Sequence, residues 1–388
     1  MKTIAVIFGS RSAEHDISII TALSAIIKPL ELTKKYKVEA VYISKDGSWY
    51  WDEKLKDIKI YQSGEIDEFM KKAPKVQLSF DNGLTLVKSS QFAGRKAYKK
   101  IDIVFPATHG THGEDGELMG LLEMANVAYV GCGVPASTIA MDKVLSKIIA
   151  ESNDILVSKY EYLFGTTFAQ KGSEIVKELE KSLRYPLFVK PARLGSSIGI
   201  SRVESSRELT NAVEVAMHYD NKVVIEEAVQ NLIEVTVPVI GNSELVVGLV
   251  ERPLSPENDV FDFDTKYMNQ GKGGKKMGGK QGSQGYSQMP ADLPKKLYEL
   301  SVEVAKRTYR AIGCEGIARV DLLIDKKAGV VYFNEINPMP GSLYAHNWRA
   351  SGISTVELVE KLVDYAEQRW TEKQKLTTTF STNFLKQF

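Results

Sequence analysis

Cysteine is scarce. Cys132 and Cys314 are the only two among 388 residues, too few and too far apart for a disulfide framework or a thiolate metal cluster. Such sparing use suits a reducing compartment, so a cytoplasmic protein is expected, with both thiols serving as small buried apolar groups. Long apolar runs are missing as well. Nothing approaches the roughly 18 consecutive apolar residues of a membrane span. The opening run Ile4-Ala5-Val6-Ile7-Phe8 stops at Gly9, too short for the core of a secretory signal, and reads as a first strand. No charge of one sign dominates either: 50 Lys and Arg face 49 Asp and Glu, so no polyanionic partner is implied. The one basic cluster, between Lys272 and Lys280, is interleaved with glycines instead of stacking aromatics, which argues against nucleic acid. Two nucleotide signatures are also absent, G-x-G-x-x-G and the helix-opening Gly-Lys-Ser/Thr of a P-loop.

What is present is the composition of an ordinary soluble protein, on a chain longer than one hydrophobic core usually serves. Two or three domains are expected. Over 1–130, strands at 3–8, 38–43 and 101–105 alternate with a helix at 15–27, the signature of a parallel α/β layer. Such layers place ligands at strand-to-helix turns. That marks Gly9-Ser10-Arg11-Ser12-Ala13-Glu14, and the turn from His109-Gly110 to Gly113-Glu114-Asp115-Gly116, as two edges of one site. Past Gly131 the pattern changes. A helix over 141–152 and strands over 185–190, 198–203 and 222–227 indicate a central unit, bounded at 131–220. Strands over 244–250, 316–324 and 330–337, with helices over 293–312 and 355–365, indicate a third unit over 221–388. Within it, residues 268–288 hold seven glycines, four lysines and no acid. That composition buries too little apolar area to offset the entropy of ordering, so a mobile lid is expected over 254–290. The tail from 371 reads as polar and frayed.

The sharpest chemical signal is a hairpin. Ile317-Ala318-Arg319-Val320-Asp321-Leu322-Leu323 and Val331-Tyr332-Phe333-Asn334-Glu335-Ile336-Asn337 flank the turn-forming Asp325-Lys326-Lys327-Ala328-Gly329. In an even register Arg319, Asp321, Glu335 and Asn337 share one face. Three hard oxygen donors suit Mg²⁺, and a neighbouring guanidinium suits phosphate oxygens. A solvated sheet face with a salt bridge fits the same pattern, and the hairpin alone does not choose between them. A second element is Val189-Lys190-Pro191 followed by Gly195-Ser196-Ser197-Ile198-Gly199, whose small residues let backbone N–H groups approach anionic oxygens. Lys143 can add a positive charge to the same phosphates. Glu226 and Glu234 bracket a strand-to-strand segment, where carboxylates can accept from an adenine amino group or ribose hydroxyls.

In chain order, Ser12-Ala13-Glu14-His15, His109-Gly110 with Gly113-Glu114-Asp115-Gly116, Met141-Asp142-Lys143, Val189-Lys190-Pro191, Gly195-Ser196-Ser197-Ile198-Gly199, Lys266-Tyr267, Arg319-Val320-Asp321 and Asn334-Glu335-Ile336-Asn337 with Pro340-Gly341 resemble the motifs of the D-alanine–D-alanine ligase family. The match runs from Ile4 to about Gly352. It implies the ATP-grasp fold, mixed α/β and α+β: a Rossmann-like parallel α/β domain, a small central domain and a C-terminal domain, with ATP gripped between the last two. It also implies an ATP-dependent carboxylate–amine ligase of peptidoglycan synthesis that joins two D-amino acids, D-alanine to D-alanine foremost, through an acyl phosphate, as a homodimer. Residue by residue, Lys143, Lys190 and Lys266 would hold ATP, Glu226 and Glu234 its adenosine, and Asp321, Glu335 and Asn337 two Mg²⁺ ions, with Mn²⁺ as an alternative. Arg319 and the Gly341 amide would stabilise the charged intermediate. Glu14 would bind the first ammonium, completed by Ser196 and Tyr267, with His109 and Glu114 on the substrate side. Two departures bear on the second substrate: the glycine-rich lid, and His346 where the family commonly has serine. Rival readings are a ligase with another acceptor and a non-catalytic nucleotide binder on the same fold; the full set Lys190, Arg319, Asp321, Glu335 and Asn337 argues against the latter.

Overall fold

Alternating apolar stretches place the first strand, Lys2–Gly9, at the centre of a five-stranded sheet. Its order is Trp49–Trp51, Tyr36–Ile43, Lys2–Gly9, Ile103–Pro106, Ala128–Tyr129. All neighbours are parallel except the Trp49–Trp51 edge, as the strand–helix alternation leads one to expect. The computed structural model describes residues 1–81, 83–89, 96–254 and 287–388. The expected lid therefore falls almost wholly outside the described residues, as do Lys266 and Tyr267.

Strand Lys2–Gly9 is buried on both faces, the mark of a parallel sheet covered twice. Helix His15–Ile20 continues through a π-helical stretch, Thr21–Ile27, into Lys28–Thr33. Helix Glu117–Met124 supplies part of the opposite cover. A three-stranded antiparallel sheet, Val76–Ser79, Leu84–Ser89 and Lys96–Ile101, flanks this layer and was not anticipated.

Two four-stranded antiparallel sheets follow. The first has the order Ser201–Val203, Leu187–Pro191, Lys222–Glu227, Tyr160–Phe164. Helices Gly165–Ser182 and Ser206–Met217 close one apolar core against it. The second has the order Leu245–Val247, Leu232–Gly241, Gly316–Asp325, Val330–Asn337, and packs on Lys295–Ile312. The helix expected over 141–152 is Lys143–Glu151, capped by the Asp142 carboxylate, which accepts from the Val144 and Leu145 amides; a separate helix that was not expected, Val134–Met141, precedes it. The final helix runs Thr355–Gln374, well past 365, and the tail beyond it is exposed. Among the described residues no helix is long and apolar enough to cross a membrane.

Candidate active site

The two antiparallel sheets and the turns of the parallel layer meet around a cleft of about 470 Å³. Its floor is the predicted hairpin. Arg319 pairs with Asn337 and Asp321 with Glu335, so all four side chains line the cleft while Val320, Leu322 and Ile336 enter the core beneath. The register shifts between Asp321 and Leu322, leaving Asn334 as the unmatched residue. This bulge keeps Asn334 on the cleft side with Glu335, where its Oδ1 accepts from Lys190 Nζ at 3.4 Å.

Charges on this floor are matched in place. Arg319 donates to both Asp321 oxygens, at 2.7 and 2.6 Å, and its guanidinium lies 5.4 Å from the Tyr344 ring centre. Burial opposes the Arg319 charge, but the contacts with Asp321 outweigh it and raise its pKa. Asn337 Nδ2 donates to Asp321 Oδ2 at 3.2 Å. Lys143 Nζ sits 3.2 Å from Glu335 Oε2 and donates to the Leu194 carbonyl at 2.8 Å.

Behind the floor lies a cluster that joins the expected Glu226 and Lys190 to a lysine that no motif flagged, Lys147. Glu226, 2% exposed, receives Lys190 Nζ on one oxygen at 2.8 Å and has Lys147 Nζ 3.2 Å from the other. Burial alone would push its pKa up, yet the two cations reverse that and hold it near 2, so it is a carboxylate. Burial lowers the Lys147 pKa, and the lysine is fully enclosed. Helical spacing was the available signal, since Lys147 stands at i+4 from Lys143 and shares its face. Glu234 instead lines the open cleft.

At another end, Glu14 follows the first strand's turn. Its carboxylate accepts from the Ser196 hydroxyl, and its N–H donates to Ser12 Oγ at 3.0 Å. Gly195 leaves room for this: a Cβ there would stand 3.0 Å from Glu14 Oε2. The following Ser196 and Ser197 take left-handed φ of +56° and +59°. Buried Glu114 accepts from the Gly110 N–H at 2.7 Å, and its pKa is raised by burial and by the nearby Glu14 charge. Two carboxyl groups so placed favour an incoming cation. His109 Nε2 lies 2.9 Å from Thr21 Oγ1, and burial, with Arg319 adding, lowers its pKa to about 4, leaving a neutral ring at pH 7.

Thr21 also accepts from the Ser342 N–H at 2.9 Å, tying the π-helical turn to the segment after Pro340-Gly341. There Ser342, Leu343 and Tyr344 are all left-handed, φ +50° to +54°, a conformation costing about 1–2 kcal/mol per residue. Full burial of Leu343 and a 2.7 Å bond between Tyr344 and Thr236 hold it. His346 then sits in a short helix, Ala345–Ala350. Its Nε2 lies 2.9 and 3.0 Å from the oxygens of Glu251, a residue that no motif flagged.

A parallel α/β layer above two antiparallel sheets that close on one cleft of lysines, arginine and carboxylates defines the ATP-grasp class. The family models "D-ala D-ala ligase N-terminus" and "D-ala D-ala ligase C-terminus" match residues 3–132 and 149–364. A D-alanine–D-alanine ligase of Acetivibrio thermocellus is 39% identical, with 96% of this chain and 98% of that protein aligned; one of Chloroherpeton thalassium is 38% identical over 96% and 98%. Among solved structures, the VanG D-Ala:D-Ser ligase of Enterococcus faecalis is 30% identical, with TM-score 0.77 over 94% of this chain and 99% of that one. The D-alanine-D-alanine ligase of Coxiella burnetii is 27% identical, with TM-score 0.76 over 97% and 98%. The chain belongs to the D-alanine–D-alanine ligase family, whose members are ATP-dependent ligases.

Proposed function

We propose that this chain joins D-alanine to D-alanine at the cost of ATP, supplying the dipeptide for peptidoglycan precursors. The carboxylate of the first D-alanine takes the γ-phosphoryl group, giving an acyl phosphate and ADP. The amine of the second then attacks the acyl carbon, losing a proton and expelling phosphate. The observation that carries the reading is that one cleft joins Glu14 and Ser196 to Lys143, Lys190 and the Arg319 hairpin face.

Each group has work that needs no protein nucleophile, because phosphoryl transfer depends on positioning and charge neutralisation. Glu14, beside Ser196 and Glu114, receives the first ammonium, and neutral His109 braces this end through Thr21. Lys143 and Lys190 leave their resting carboxylates for phosphate oxygens, and Lys147 keeps Glu226 charge-balanced when Lys190 moves. Glu234 takes the ribose side and Glu226 backs the adenine side. Arg319 and the Gly341 N–H face the charge that develops at the acyl centre. Asp321, Glu335 and Asn337 fit Mg²⁺, being three oxygen donors on one sheet face; when bound, the ions would neutralise phosphate charge. Lys266 and Tyr267, outside the described residues, complete the ATP and first-substrate sets by resemblance. His346 meets the second substrate's carboxylate. A cytoplasmic homodimer of three units, near 1–130, 131–220 and 221–388, completes the proposal.

The test is mass spectrometry of products after incubation with ATP, Mg²⁺ and single or paired amino and hydroxy acids. D-alanyl-D-alanine with stoichiometric ADP is expected from D-alanine alone. Product only when D-serine or a hydroxy acid is added would replace the acceptor assignment, and ATP binding without product would make the chain a nucleotide binder.

A further inference from the structure

Proteins seldom bury a carboxylate without fixing what it touches, and Glu251 is such a group: its side chain is 5% exposed. Its backbone exchanges two hydrogen bonds with Thr236, of 2.8 and 3.0 Å, so the residue is set in the sheet. Asn347, fully buried, clamps the neighbouring helix to the same strand. Its amide donates to the Leu249 carbonyl at 2.9 Å and to Glu251 Oε2 at 3.1 Å, and its Oδ1 accepts from the Leu249 N–H at 3.0 Å. Glu251 is thus held by other bonds, and Asn347 fixes the short helix that presents His346, so the contact is built into the wall of the cleft.

We propose that Glu251 is a positioning residue for the second substrate: it keeps a proton on His346 Nε2 and so assigns Nδ1 to the ligand. The proposal rests on the reading that an acceptor amino acid binds beside Tyr344. An ionised carboxylate only accepts, so the nitrogen 2.9 and 3.0 Å from its two oxygens must carry hydrogen. Among the described residues Nδ1 has no hydrogen-bond partner, although the ring lines the cleft. The groups facing the ring are Glu251 from the strand and Tyr344, whose ring centre is 4.5 Å away; Arg319 stands over that tyrosine, and Ser287 adds a bond to Glu251.

With Nε2–H fixed, the ring has two states toward a ligand. Protonated, it offers Nδ1–H to a carboxylate, and Glu251 balances its charge. Neutral, it offers a lone pair that repels the same carboxylate. The ligand class is therefore an amino acid presenting its carboxylate at Nδ1, and binding weakens as the ring loses its proton.

Glu251→Gln keeps the shape while removing the charge and the acceptor-only character. The expected result is a second-site KM raised about tenfold or more near neutrality, with its pH dependence flattened. The KM values of ATP and of the first site should stay within about twofold, and Glu251→Asp should recover part of the loss. Imidazole nitrogen spectra, with His346 assigned by its substitution, should show the Nε2–H tautomer in the wild type and lose it in the Gln variant. An Nδ1–H tautomer in the wild type would overturn the proposal, as would a folded Gln variant with unchanged second-site KM and pH profile. Equal losses at both sites with lowered thermal stability would also overturn it, reducing Glu251 to a structural role. A wild type that makes no dipeptide while showing the Nε2–H tautomer would instead sink the functional reading and leave the geometry standing.

Discussion

Glu226 is where burial and charge compete most openly. A carboxyl group enclosed at 2% exposure should resist ionisation, yet Lys147 and Lys190 depress its pKa from 4.5 to about 2. A depressed folded-state pKa means that stability is gained above the unfolded value and lost as pH falls from about 4.5 toward 2. The size is on the order of 3 kcal/mol, undiminished by solvent because the group is buried. Glu226→Gln should therefore be much less stable than the parent at pH 7, and the gap should narrow steadily below pH 4.5. Denaturant titrations at a series of pH values measure it. A gap that stays constant down to pH 3 would mean that the two lysines do not hold the charge. No local motif announces this triad, since its members come from a helix, a strand and a neighbouring strand and meet only in three dimensions.

Turns and hairpins were the most legible elements, because their signals are local. The even register that sets Asp321 opposite Glu335 follows from apolar alternation in two adjacent strands, and only the bulge at Asn334 was hidden. The sheet formed by Val76–Ser79, Leu84–Ser89 and Lys96–Ile101 was illegible for the opposite reason: its last strand is mostly exposed and rich in lysine, so alternation is faint. Gly110 shows what a turn contributes to the site. At φ +71° a side chain is strained, and a Cβ would stand 2.4 Å from Ser12 Oγ and 2.9 Å from Glu14 Oε2. Gly110→Ala should push Glu14 out of line with Ser196, raising the first-site KM by an order of magnitude or more. ADP affinity alone should change little, because the nucleotide side of the cleft is untouched. Calorimetric ADP binding alongside steady-state kinetics separates the two, and an unchanged first-site KM would show that Glu14 is not positioned by this turn.

Helix Thr355–Gln374 belongs to the end of the chain but packs beneath its beginning. Leu358, Val359, Leu362 and Val363 are fully buried in one core with Ile4, Val6, Phe8 and Ile26. Arg369 donates to the carbonyls of Tyr129 and Gly131 at 2.7 and 2.5 Å and stacks on the Tyr129 ring. Sequence patterns gave the helix but stopped it near 365, because beyond Ala366 its apolar stripe fades while good helix formers continue. They could not give its partner, since amphipathicity says that a face is buried and not against what. The closure has an energetic consequence for the N-terminal layer. Burying four aliphatic side chains is worth about 1.5–3 kcal/mol each, or roughly 6–12 kcal/mol, comparable to the 5–15 kcal/mol that holds a typical domain together. A fragment of residues 1–132, although it carries the whole five-stranded sheet, should therefore lack a cooperative thermal transition by circular dichroism. Adding a peptide of residues 353–376 should restore one, with a midpoint that rises with peptide concentration as expected for a bound element. A sharp, peptide-independent melt of the fragment alone would show that the layer is self-sufficient and that the C-terminal helix only caps it.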